Sequence, residues 1–163
     1  MNFEQKLKEL KERQSQISDI KKEVLDLSSG IFEDFYKYIF DKYPALKSFG
    51  WTQYTPYFND GETCVFYVNT DYISVNDEYV DDAKWASEVN VINWGNWNRD
   101  LKVYEGRVEE PNPNYDEVLT SASNEITNFL GNFDNEFYLS KFGDHAEITV
   151  TENGVDISDY DHD

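Results

Sequence analysis

Residues 136–160 read EFYLSKFGDHAEITVTENGVDISDY, and this stretch decides the fold. Two-residue turns at Gly143-Asp144 and Asn153-Gly154 divide it into a three-stranded antiparallel meander, since Gly and Asn supply the positive φ of a tight hairpin. Phe137 then faces Val150, Leu139 faces Ile148, and Val150 faces Ile157. Side chains alternate across a strand, so these apolar residues share one side of the sheet. The other side carries Ser140, Glu147, Thr149, Thr151, Asp156, Ser158 and Tyr160, an acidic and hydroxyl-rich surface left to water.

A helix is needed to cover the apolar side, and Pro113 to Gly131 supplies it. Asn114 is the expected N-cap with Glu117 three residues on, while Asp116 and Glu117 suit the positive end of the helix dipole. Tyr115, Val118, Leu119, Ala122, Ile126, Phe129 and Leu130 form one stripe, and Gly131 ends it. The expected class is α+β: an N-terminal amphipathic helical arm, then a mainly antiparallel sheet packed on one long helix.

The arm occupies 1–47. Phe3, Leu7, Leu10, Gln14 and Ile17 alternate at spacings of four and three, and Ile20, Val24, Leu27 and Ile31 continue after a three-residue step. Lys6, Lys8, Glu9, Lys11, Glu12 and Arg13 lie between them as a mixed-sign solvent face. Gly30 is expected to break the helix, and a second helix, Ile31 to Tyr43, to pack its aromatic residues on the body before Pro44 stops it. The arm either dimerises as a coiled coil or folds back as a helical hairpin, and Gln14 at a stripe position suits both. The residues expected to carry oligomerisation are Phe3, Leu7, Leu10, Gln14, Ile17 and Val24.

In the body, 48–163, two runs rich in Tyr, Thr, Phe and Val flank Asn59-Asp60-Gly61 and predict a hairpin, with Pro56 placing its strand at an edge or bulge. Asp71 to Val75 reads as a strand and Asp77 to Ser87 as a short acidic helix. Val89 to Tyr104 reads as strand reversing at Trp94-Gly95-Asn96-Trp97.

Charge is divided along the chain. The 163 residues carry 33 Asp and Glu against 14 Lys and Arg, a formal charge of −19. Met1 to Lys47 holds nine of each sign, so the whole excess lies in the body. That argues against a protein gripping a phosphate backbone, and direct nucleic-acid binding is not expected. With aromatics at 17% of residues, the acidity does not signal disorder. A single Cys64, no basic leader before an apolar run, and no apolar stretch of membrane length lead to a cytoplasmic expectation.

Catalytic patterns are scarce. GxxxxGK[ST], GxSxG, HExxH, paired CxxC and the EF-hand loop do not occur. Cys64 reads as a small buried thiol in a strand. His145 and His162 lack short ligand spacing, so neither a metal site nor a cofactor is expected and no catalytic residue is assigned. Trp51, Tyr54, Tyr57, Trp94 and Trp97 fit either a core or an aromatic cage for a small ligand.

The carboxylates most in excess of what folding needs are Asp77, Glu78, Asp81, Asp82, Glu109, Glu110, Asp116, Glu117, Glu147, Asp156, Asp159 and Asp161. They serve either as a solubilising surface or as a negative field offered to a basic partner. Duplex DNA carries one charge per roughly 1.7 Å, so the excess matches about 30 Å of duplex, close to the width of a domain this size. Carboxylates fixed on such a scaffold imitate phosphates.

The segments WTQYTPYFNDGE, Trp51 to Glu62, and FGDHAEITVTENG, Phe142 to Gly154, with the ending YDHD, resemble small acidic accessory proteins of tailed bacteriophages. The resemblance covers the body and not the arm. It implies expression in the cytoplasm of an infected bacterium and a role in blocking a host or defence protein, and it carries no catalytic residues. The function expected is therefore a non-enzymatic inhibitor whose acidic surface binds a basic, nucleic-acid-binding partner in the manner of a DNA mimic. The alternatives are a sponge for a nucleotide signal using the aromatic residues, and an assembly protein driven by the coiled arm, as a homodimer.

Overall fold

A computed structural model describes residues 2–58, 60–86 and 88–162. Helix α1 runs unbroken over Phe3–Lys42. Asn2 caps it, accepting from the Gln5 N–H while the Gln5 side chain accepts from the Asn2 N–H. Gly30 does not divide it, and the arm does not fold back as a hairpin. A glycine in a helix interior costs about 1 kcal/mol relative to alanine, which the burial of Phe32 and Ile39 in the next turns outweighs. The helix ends at Lys42, ahead of Pro44, as expected.

Strand β1, Ser48–Tyr54, is the axis of the sheet. It pairs with β9 (Ala146–Thr151) on one side and with β2 (Tyr67–Val68) and β3 (Ser74–Val75) on the other; β10 (Gly154–Asp159) and β4 (Glu78–Tyr79) form the edges. Every pairing in this sheet is antiparallel. Gly50 is required at the centre, because a Cβ there would run into the carbonyl oxygen of Ile148.

The meander is corrected in two respects. Asn135–Phe142 is helix α3, not a strand: Asp134 caps it by accepting from the Phe137 N–H, and Phe137, Tyr138 and Phe142 are buried at helical spacing. The partner of β9 on that side is β1, with Trp51 opposite Ile148 and Phe49 opposite Val150. In the β9–β10 hairpin the turn is Glu152-Asn153, so Val150 faces Val155 and Ile148 faces Ile157, two residues from the expected register. A slip of two preserves the face, and the alternation of β9 is as read: Ala146, Ile148 and Val150 are buried, and Glu147 is exposed.

Other expectations also shift. The predicted 59–61 turn lies inside a long connection between β1 and β2; Asp60 (φ 31°) and Gly61 (φ 88°) bend the chain there, and Asn59 falls outside the described residues. Pro56 follows β1 and is in no strand. The expected helix from Asp77 is instead β4 followed by turns, with its last position, Ser87, outside the described residues. Asn76 and Asp77, both at positive φ, form the two-residue turn joining β3 to β4.

The segment from Asn90 to Pro111 is one antiparallel ribbon. Strand β5 (Asn90–Asn93) pairs with β8 (Val108–Pro111), and β6 (Asn96–Asn98) with β7 (Val103–Glu105). It reverses at Arg99 to Lys102, where the Asn98 side chain accepts from the Asp100 and Leu101 N–H groups, not at Trp94 to Trp97.

Helix α2 spans Glu117–Leu130, and its N-cap is Asp116 rather than Asn114, accepting from the Val118 and Leu119 N–H groups. Phe32 is the hub of the core: its ring lies 5.4–6.4 Å from those of Trp51, Phe129, Phe133, Phe137 and Phe142, so α1, α2, α3 and β1 meet on it.

Candidate functional site

The helices cover one side of the sheet, and the pairing register says what the other side presents. Residues opposite each other in a ladder share a face. One row across the sheet is therefore Tyr79, Ser74, Gly50, Thr149 and Asp156; beside it lie Thr52, Glu147 and Ser158. Beyond them Tyr67 faces Tyr54, and the Tyr160 N–H donates to the His145 carbonyl. Small residues make the floor, with Tyr79 at the β4 edge and Tyr54, Tyr67 and Tyr160 beyond Thr52. No outward position in these rows is Lys or Arg.

At one end, Tyr72 stacks on Tyr79 with ring centroids 4.8 Å apart and donates to Asp82 at 3.2 Å. At the other end, the Tyr67 hydroxyl donates to the Tyr54 hydroxyl, and Tyr54 lies 5.4 Å from Tyr160. Burial, the hydroxyl of Tyr54 and nearby Tyr160 push the Tyr67 pKa up to about 12. Burial, with the Glu147 carboxylate and Tyr160 close by, also raises that of Tyr79. These phenols stay neutral donors beside carboxylates.

The two histidines, far apart in sequence, meet here. Nδ1 of His145 is 2.9 Å from Nε2 of His162, and Tyr57 stacks on both rings at 4.8 and 4.5 Å. One nitrogen of that pair must carry the proton and the other accept it. Asp144, next to His145, accepts from the N–H and hydroxyl of Thr55 and from the His145 N–H. Burial opposes its ionisation, but these hydrogen bonds together hold its carboxyl below the usual range. The cluster clamps the C-terminal segment to the sheet. Among the described residues no three His, Cys, Asp or Glu are grouped to hold a metal ion.

The helical side is different in kind. Lys42 reaches Glu125 at 2.7 Å, Lys21 reaches Glu136 at 3.1 Å and Lys141 reaches Glu33 at 3.6 Å, so cations and carboxylates pair between helices. Charge is sorted by the two sides of one sheet.

Of the carboxylates singled out in the sequence, Glu147 and Asp156 stand on the open face, and Asp82 reaches it through Tyr72. Asp77 accepts from the Ser48 hydroxyl and Glu78 from the Trp85 indole at the β3–β4 edge, with Asp81 in the turn beyond. Asp159 alternates to the helical side of β10, and Asp161 lies in the exposed terminal segment. Glu109 and Glu110 are on the ribbon, while Asp116 and Glu117 begin α2; Asp116 is committed to capping.

The five aromatic residues that fit either a core or a cage are divided between core, ribbon and sheet face, and do not come together as a cage. Trp51 is 1% exposed in the core. Trp94 and Trp97 flank Tyr104 on the ribbon, at 5.4 and 4.8 Å, with Arg107 over Trp94. Gly95 and Gly106, at φ 65° and 82°, kink both strands and bring Trp94 beside Tyr104. Only Tyr54 and Tyr57 join the face. Cys64 is half-buried in the β1–β2 connection and in no strand. The oligomerisation residues Phe3, Leu7, Leu10, Gln14, Ile17 and Val24 are all exposed along α1.

Sequence reading missed Tyr67, Tyr72 and Tyr79 as members of the face. Tyr67 and Tyr79 lie on two-residue strands, too short to read without their partners, and Tyr72 lies in the bend before β3. Compared with protein-family models, curated proteins and solved structures, the chain matches none. No described helix is long and apolar enough to cross a membrane.

Proposed function

We propose that the open face of the sheet is a docking surface for a basic, nucleic-acid-binding protein, and that the chain acts as a non-enzymatic inhibitor by occupying that partner's cationic groove. The observation that carries this reading is the sorting of charge: the open face offers Glu147, Asp156 and tyrosine rings with no Lys or Arg among its described outward positions, whereas on the helical side Lys21, Lys42 and Lys141 pair with carboxylates between helices. Carboxylates beside aromatic faces attract guanidinium and ammonium groups both by charge and by cation–π contact. The body's net charge, about that of 30 Å of duplex, supplies the longer-range field. The resemblance to phage accessory proteins supplies the setting, the cytoplasm of an infected bacterium.

The small-ligand reading has less support, because Trp51 is spent on the core and Trp94 and Trp97 belong to the ribbon. The test is capture from infected-host lysate at low and high salt, using the wild-type chain and a Glu147→Lys, Asp156→Lys chain. A basic protein retained only at low salt and only by the wild type supports the proposal. Capture indifferent to both salt and the substitutions removes it.

A further inference from the structure

The arm leaves a long apolar stripe without a partner. Phe3, Leu7, Leu10, Ile17, Ile20, Val24, Leu27 and Ile31 are 40–77% exposed, all on one continuous helix. Including Gln14, the stripe takes steps of 4, 3, 4 and 3 residues up to Ile17 and 3, 4, 3 and 4 beyond it. The pattern reads the same from either end. Its eight steps cover 28 residues, an average of 3.5, which is the coiled-coil period.

A palindromic stripe can match its own copy antiparallel, an orientation that an irregular stripe cannot use. When a second helix runs antiparallel with the two-fold axis at Ile17, Phe3 meets Ile31 of the other copy, Leu7 meets Leu27, Leu10 meets Val24, Gln14 meets Ile20, and Ile17 meets itself. Such an isologous contact closes as a dimer. Run parallel, each residue would instead meet its own copy, and the choice between the two orientations falls to the charge of the bodies. We infer that two copies of this chain associate through α1 as an antiparallel coiled coil centred on Ile17.

Charge favours the same occupant and the same orientation. Residues 1–47 carry equal numbers of acids and bases, so two arms approach without net repulsion. The bodies carry the whole excess of −19 each, and the antiparallel arrangement sets the two Phe32 residues, where α1 enters the core, on the order of 45 Å apart along the helices at 1.5 Å rise per residue. That is several screening lengths at physiological salt. A parallel pair would place the bodies side by side. The contact also gives the projecting half of α1 the packing that an isolated helix in water lacks.

The experiment uses the full chain. Sedimentation is expected to give twice the chain mass, and Ile17→Glu to give the monomer with unchanged near-ultraviolet dichroism, because Ile17 lies outside the core. In a Cys64→Ser chain, Leu10→Cys and Val24→Cys chains mixed and oxidised are expected to crosslink to each other, and each alone to remain uncrosslinked. A wild-type monomer at all accessible concentrations, a dimer that survives Ile17→Glu, or Leu10→Cys crosslinking to itself would overturn the inference. None of these outcomes depends on the proposed partner of the sheet.

Discussion

Glu147 on β9 stands opposite Thr52 on β1, and their neighbours Ile148 and Trp51 pair with equal register on the buried side. One residue of displacement along the ladder thus separates a carboxylate facing water from an indole at the centre of the core. Substituting on either side of that boundary has distinct consequences.

Glu147→Gln removes charge from an exposed position, so stability is expected to change by less than about 0.5 kcal/mol. Binding of the proposed basic partner is expected to weaken, and its dependence on salt to become shallower. Glu109→Gln on the ribbon removes the same charge and is expected to leave the affinity within about twofold. Titration calorimetry at two salt concentrations compares them.

Trp51→Ala is expected to destabilise the fold by about 3–5 kcal/mol, the range for deleting a large buried aromatic. Its ring contacts those of Phe32, Tyr138 and Phe142, and its indole donates to Gln53 at 3.1 Å. Urea unfolding followed by dichroism measures the loss. A stable variant with reduced ligand binding would instead return Trp51 to the aromatic-cage reading.

The start of α2 separates two neighbouring residues. Asp116→Ala removes both capping bonds and is expected to cost about 1 kcal/mol, whereas Asn114→Ala, outside the cap, costs a few tenths. Parallel urea titrations of the two variants distinguish them.

Acid stability depends on the hydrogen-bonded carboxylates. Glu125 accepts from Lys42, Tyr43 and Tyr38; the Lys42 bond is the strongest influence and holds its carboxyl below the usual range despite partial burial. Asp144 is also depressed. A depressed folded pKa contributes stability present above the unfolded value, near about pH 4, and lost as pH falls through the folded value. Glu125→Gln is expected to be less stable at neutral pH and to lose less on acidification. On the alkaline side Tyr67, with its pKa pushed up to about 12, contributes stability that is complete below about pH 10 and lost as pH rises through the folded value. Tyr67→Phe is expected to flatten that limb in pH-dependent melts.

The helices and the faces of β9 were legible because their signals are local: a stripe at 3.6, an alternation at 2, and turn residues whose placement shifted the register by an even number. Asn135–Phe142 reads as a strand because Phe137 and Leu139 stand two residues apart in a short segment, and the signal for a helix is the Asp134 cap. Gly30 misled because propensity is outweighed by tertiary burial. The site was half legible. Glu147 and Asp156 follow from β9 and its hairpin, but the tyrosine ends and the His145–His162 contact depend on β1 pairing with strands on both sides, and no local pattern encodes which strands those are.

The most direct test of charge sorting is a titration of the isotope-labelled full chain with an arginine-rich peptide, followed by amide NMR shifts at low and high salt. The account predicts shifts on Thr52, Glu147, Thr149, Asp156, Ser158 and Tyr79 that vanish as salt rises. Shifts confined to the helices or the ribbon, or shifts on the sheet that persist in high salt, would contradict it.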